Sequence, residues 1–153
     1  YHKVCILADA DSDGAHIATL LCALFLRHFP ALVRGGHVYV AMPPLYRIDV
    51  GKEVYYALDE SDRQGFLDRI AAEKKSGKVT VQRFKGLGEM NAGELWDTAM
   101  NPETRTLIKV TLADAKGAMA KASDMFEVLM GNDVSKRKLF IEKNAKDVRF
   151  LDV

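Results

Sequence analysis

An apolar run, a cluster of acid and an amphipathic segment follow one another at the start of this chain, and that order constrains its fold more than any other feature. Residues 4–8, Val-Cys-Ile-Leu-Ala, form a continuous apolar run with a β-branched bias, the pattern of a strand covered on both faces as in a parallel sheet. Asp9-Ala10-Asp11-Ser12-Asp13-Gly14 follows at once. Gly14 then opens a segment, 15–29, in which Ile17, Leu20, Leu21, Leu24 and Phe25 recur at helical spacing. Pro30 stops that helix, and Gly35-Gly36 lead into a second short strand at 37–41. Strand, helix, strand in that order predicts a right-handed parallel crossover.

Further along, Pro43-Pro44 break the chain before strand-like residues 45–48, and Gly51 turns it into 54–58. Ser61 is placed to cap a helix running to about Lys74, and Gly77 resets the backbone for a strand over 79–84. A glycine-punctuated loop, Lys85-Gly86-Leu87-Gly88-Glu89-Met90, precedes a helix over 92–99 with room for one irregular turn. A last strand is expected at 107–112, then helices at 114–129 and 135–144 separated by Gly131-Asn132-Asp133.

The acidic cluster carries the chemistry. It sits at the C-terminal end of an expected parallel strand, where ligands bind in open α/β sheets. Along extended backbone, side chains at i, i+2 and i+4 project to one side, so Asp9, Asp11 and Asp13 are expected to converge. Like charges gathered in a partly buried place repel unless a cation joins them. Magnesium meets that need, because it takes one or two carboxylates, keeps water, and completes its octahedron with phosphate oxygens. The string also begins like an EF-hand loop, yet Leu20 stands where the bidentate glutamate belongs and no helix precedes it. Helix capping would need fewer aspartates.

Three further positions are candidates for contacts to a phosphate backbone. His16 lies in the first turn of the helix after the cluster, where free N–H groups favour phosphate. Lys85 is a cation on a loop whose glycines admit close approach; the loop is neither a P-loop nor a dinucleotide fingerprint. Arg137 lies in Ser135-Lys136-Arg137-Lys138 at a helix start, where cations oppose the helix dipole and are better explained as ligand contacts. Each also has a plain reading, as an exposed histidine, a tight turn and a solvated charged face.

Composition adds bounds. At 153 residues the chain has the size of one domain with an appendage around one core. Net charge of +1 gives no global signature for nucleic acid, so any such contact would have to come from local patches or from a partner. Cys5 and Cys22 read as small core residues, and Trp96, Met119, Met125 and Met130 as core or docking residues. No apolar stretch approaches the roughly 20 residues that span a bilayer, which points to the cytoplasm. The abrupt start at Tyr1 reads as a chain cut from something longer.

Four motifs taken in order resemble the B subunits of bacterial type IIA DNA topoisomerases: residues 7–17, 36–46, 82–91 and 130–142, spanning essentially the whole chain. The resemblance implies an α/β fold: a Rossmann-like TOPRIM domain over 1–111, a parallel sheet with flanking helices whose N-terminal part is missing, and a mainly helical C-terminal tail over 112–153. By the same resemblance Asp9 and Asp11 ligate magnesium, Asp13 supports them, and His16, Lys85 and Arg137 lie near DNA or a partner subunit. The nucleophile is implied to be a tyrosine of an A-type partner in an A2B2 assembly, and ATP to bind outside this chain. The family also uses a glutamate from a Glu-Gly-Asp-Ser motif upstream of the aspartates. This sequence holds no such motif, so it is not expected to cleave DNA alone.

Within the family, Ala10, Ser12 and residues 17–25 resemble the topoisomerase IV branch more than the gyrase branch, and so does the short stretch from Tyr46 to Gln82. Another TOPRIM-type magnesium enzyme, a primase or nuclease, would share the acidic strand end but not the loop at 85–90. A phosphorylatable signalling domain would need an acceptor aspartate on a later strand, which the sequence lacks.

Overall fold

A computed structural model describes residues 1–112 and 118–147. The chain is a mixture of helices and two small sheets. Strand β1 (Val4–Ile6) leads through the acidic segment into helix α1 (Ser12–His28), then α2 (Pro30–Arg34) and strand β2 (Val38–Ala41). β1 and β2 pair in parallel with Val4 opposite Val38, as the strand, helix, strand order required. β6 (Leu107–Lys109) joins the other edge of β2 antiparallel.

The rest of the expected parallel sheet takes a different form. β3 (Tyr46–Val50), β4 (Glu53–Ala57) and β5 (Val79–Arg83) make a separate antiparallel sheet in the order β4-β3-β5. The reason lies in the connection: only Gly51 and Lys52 separate β3 from β4, with Gly51 at φ +61°, and two residues can join only antiparallel neighbours. Helix α3 (Glu60–Ala72) covers this sheet through Phe66, Leu67 and Ile70. Its cap is Asp59, whose carboxylate accepts from the Asp62 N–H at 2.9 Å, two residues before the expected Ser61.

Two apolar clusters replace the single expected core. Ile6, Val33 and Val38 pack with Cys22, Phe25 and Leu26 of α1; Ile48, Val50 and Ile70 pack with Tyr55, Phe66 and Leu67. Cys22 is thus partly buried as expected, but Cys5 is exposed. β1 is covered only in part: Ile6 is buried, while Val4 on the same face and Cys5 and Leu7 are exposed. α1 is apolar all round, and Ile17, Leu20, Leu21 and Leu24 lie on its uncovered side.

After β5, a single 3-10 turn (Leu87–Glu89) and helix α4 (Ala92–Leu95) run into a π-helical turn (Trp96–Met100), the irregular turn for which the sequence left room. Trp96 and Met125 are about half exposed, so neither is a core residue. Helices α5 (Ala118–Met130) and α6 (Val134–Asn144) follow; the expected start of α5 at 114 lies outside the described residues. α5 packs against α1, where Arg27 donates to Glu127 at 3.1 Å. Among the described residues no helix is long and apolar enough to cross a membrane.

Candidate functional site

The end of β1 and the loop after β5 meet at Asp9. Its Oδ1 accepts the backbone N–H of Leu87 at 2.7 Å, across a separation of 78 residues. Two glycines make this approach possible. A Cβ on Gly86 would stand 3.0 Å from Asp9 Oδ2, and a Cβ on Gly14 would collide with the Asp9 carbonyl oxygen. Both positions are glycine because the backbone must come closer to Asp9 than any side chain permits.

Asp11 caps α1: its Oδ1 accepts from Gly14 N–H at 2.8 Å, and Ala15 N–H bonds its carbonyl at 3.0 Å. Gly14 therefore touches both aspartates, one through the backbone of Asp9 and one through the carboxylate of Asp11. The helix begins at Ser12, so the extended alternation expected to align all three carboxylates ends at Asp11. Asp13 turns with the first turn of the helix, exposed to solvent. Among the described residues no three His, Cys, Asp or Glu side chains gather closely enough to hold a metal between them. His16 is exposed on the same helix start.

The loop itself is built by local bonds. Lys85 donates its backbone N–H to Glu89 Oε2 at 2.8 Å, and Glu89 N–H reaches the Gly86 carbonyl at 3.1 Å. The Lys85 side chain is exposed. At the far end Asn91 and Glu94 form a reciprocal capping box: Glu94 N–H donates to Asn91 Oδ1 at 2.9 Å and Asn91 N–H to Glu94 Oε2 at 2.8 Å.

Two residues absent from the sequence-based candidates support this arrangement. Glu94 is 9% exposed, and its other oxygen, Oε1, accepts from Arg47 Nη1 on β3. Arg47 also grips Asp49, with Nη2 2.8 Å from Oδ1. The Asp49 carboxylate first, and Glu94 second, hold the guanidinium protonated well above the ordinary arginine value. The capping box was legible as Asn-x-x-Glu ahead of an apolar residue; the long-range partner on β3 was not.

Arg137 takes a local role in the structure. It donates to the Gly131 carbonyl at the end of α5, while its Nε is buried without a hydrogen-bond partner among the described residues. Its neighbours pair locally too, Lys136 with Asp133 at 3.7 Å and Lys138 with Glu142 at 3.8 Å. The basic helix start is thus at some distance in sequence from the Asp9 loop and is partly neutralised.

Comparison with known proteins agrees with these motifs. Residues 76–142 match the family model described as DNA gyrase B subunit, carboxyl terminus. The B subunit of DNA topoisomerase 4 from Pseudomonas aeruginosa is 69% identical over 119 residues, covering 78% of this chain and 19% of that protein. Its counterpart from Salmonella typhimurium is 54% identical over all 153 residues, 24% of its own length. The DNA gyrase B subunit of Thermotoga maritima is 46% identical over the same 153 residues, 23% of its length. The chain thus spans about a quarter or less of the length of the curated relatives it matches. With the loop from β5, the acidic end of β1 and this similarity along the whole chain in agreement, the chain belongs to the family of type IIA DNA topoisomerase B subunits.

Proposed function

We propose that this chain supplies the magnesium-binding side of the DNA-cleavage centre of a topoisomerase IV, within a TOPRIM domain of Rossmann-like ancestry. The observation that carries the reading is Asp9, exposed just beyond the C-terminal end of the parallel strand β1, held by the Leu87 amide and closely approached by the backbone at Gly14 and Gly86. The donor set suits a hard cation. Magnesium needs one or two carboxylates with water and phosphate oxygens around the rest, so Asp9 and Asp11 suffice without a third acid beside them. The close space that Gly86 leaves at the Asp9 carboxylate is room a side chain would fill.

When bound, magnesium would neutralise charge developing at a scissile phosphate and on the departing 3′ oxygen. In this reading Asp9 and Asp11 hold the ion, and Asp13 adds negative potential from the helix start. The Leu87 amide keeps the Asp9 carboxylate from rotating. Lys85 and His16 offer a cation and a ring N–H to DNA phosphates, whereas Arg137 is engaged with the Gly131 carbonyl and is not counted among these contacts. No tyrosine of this chain attacks; the nucleophile belongs to an A-type partner in an A2B2 assembly. ATP acts elsewhere in the full-length protein, and the enzyme works in the cytoplasm on replicated DNA.

Identity favours topoisomerase IV over gyrase, since the topoisomerase 4 relatives above stand at 69% and 54% and the gyrase at 46%. Reconstituting the full-length protein with its A-type partner separates the two. The proposal expects magnesium- and ATP-dependent relaxation and decatenation without negative supercoiling. Introduction of negative supercoils would assign the chain to a gyrase, and no strand passage at all would remove the cleavage reading.

A further inference from the structure

The loop from Lys85 to Asn91 is held at three points, and two of them belong to the antiparallel sheet. At its start Phe84 is 2% exposed and its N–H bonds the Leu45 carbonyl at 2.9 Å. At its middle Leu87 donates to Asp9. At its end Glu94 divides its two oxygens between the Asn91 backbone N–H and the Arg47 guanidinium. Arg47 neighbours Ile48, which is fully buried on the central strand of that sheet, so the anchor does not move freely.

Glu94 is more deeply placed than a cap requires. A capping glutamate performs its task in solvent, whereas burying a carboxylate is costly unless its oxygens are paired. Here both oxygens are paired, to groups on opposite sides: the rigid strand β3 and the last residue of the loop. The geometry points to a positioning role. We propose that Glu94, clamped by Arg47, sets the place of the 85–91 loop against Asp9 and thereby tunes metal binding at a site it does not touch. This rests on the assignment of Asp9 as a magnesium ligand, and concerns residues which that assignment leaves without a role.

The test uses the full-length protein and its A-type partner, with two readouts on Glu94→Ala and Glu94→Gln. Glu94→Gln keeps an acceptor for Arg47 but loses the second oxygen that accepts from Asn91, and serves should Glu94→Ala fail to fold. Hydrogen exchange in the metal-free protein is expected to accelerate across residues 85–90 and to stay unchanged in α3. Half-saturating magnesium for DNA cleavage is expected to rise about 10-fold, with cleavage at saturating magnesium largely restored. A merely structural role would lower the melting temperature and leave both readouts alone; unchanged loop exchange or unchanged magnesium dependence overturns the proposal. Asp9→Ala runs alongside. If it keeps parental magnesium-dependent cleavage, the metal assignment falls, and loop exchange alone then decides the positioning of the loop by Glu94.

Discussion

Asp9, three residues beyond the end of β1, accepts the backbone N–H of Leu87, and this one bond joins the segment leaving the parallel strand pair to the loop that leaves the antiparallel sheet. The carboxylate is thereby oriented by main chain and not by another titratable group. Substitutions that leave the Asp9 carboxylate in place but disturb the loop should therefore weaken activity without abolishing it.

Gly14 and Gly86 test the close approach. Gly14→Ala should destabilise the fold, because its Cβ meets the Asp9 backbone, which cannot give way as a flexible side chain would. Overpacking of that kind costs about 1–3 kcal/mol, against a helix-propensity gain of about 1 kcal/mol. Gly86→Ala, whose Cβ would meet the Asp9 carboxylate first, at 3.0–3.1 Å, should be milder for stability and harsher for cleavage. Urea melts and cleavage assays on both variants check the contrast.

Arg47→Met leaves Glu94 and Asp49 without their cation. Breaking a pair as enclosed as Arg47 with Glu94 should cost about 3 kcal/mol. The double variant Arg47→Met with Glu94→Leu should recover most of that loss, since no unpaired acid then remains beside the loop. Denaturant midpoints of the single and double variants measure it.

Acid sensitivity should come partly from Glu53 and Glu60. Lys75 and then Tyr55 hold the Glu53 carboxyl below its ordinary range, and Arg63 and then Tyr46 do the same for Glu60. A folded value below the unfolded one stabilises the fold above the ordinary carboxylate range, and that contribution is lost as pH falls through the folded value. Both groups are exposed, so the effect is modest and screened by salt. Glu53→Gln should narrow the difference in melting temperature between pH 7 and pH 3.

The strands, α1 and the loop were legible because their patterns are local. Apolar periodicity marked α1, and the glycines at 14 and 86 marked close approach without saying to what. The two-sheet arrangement was harder to read, since the resemblance implies one parallel sheet whereas a two-residue turn makes β3 and β4 antiparallel neighbours. The convergence of Asp13 with Asp9 was expected from extended backbone, and Asp11 prevents it by starting the helix at Ser12. Arg47 and Glu94 stayed invisible because their pairing spans 47 residues and depends on tertiary packing. Arg137 was legible as a cation but not as a cap on the Gly131 carbonyl.

The most direct measurement is magnesium-dependent DNA cleavage by the full-length Asp9→Ala protein assembled with its A-type partner. Loss of cleavage at every magnesium concentration, with a melting temperature within a few degrees of the parent, is the expected result; the lost hydrogen bond is worth only about 1 kcal/mol. Parental cleavage by a folded Asp9→Ala protein would contradict the account.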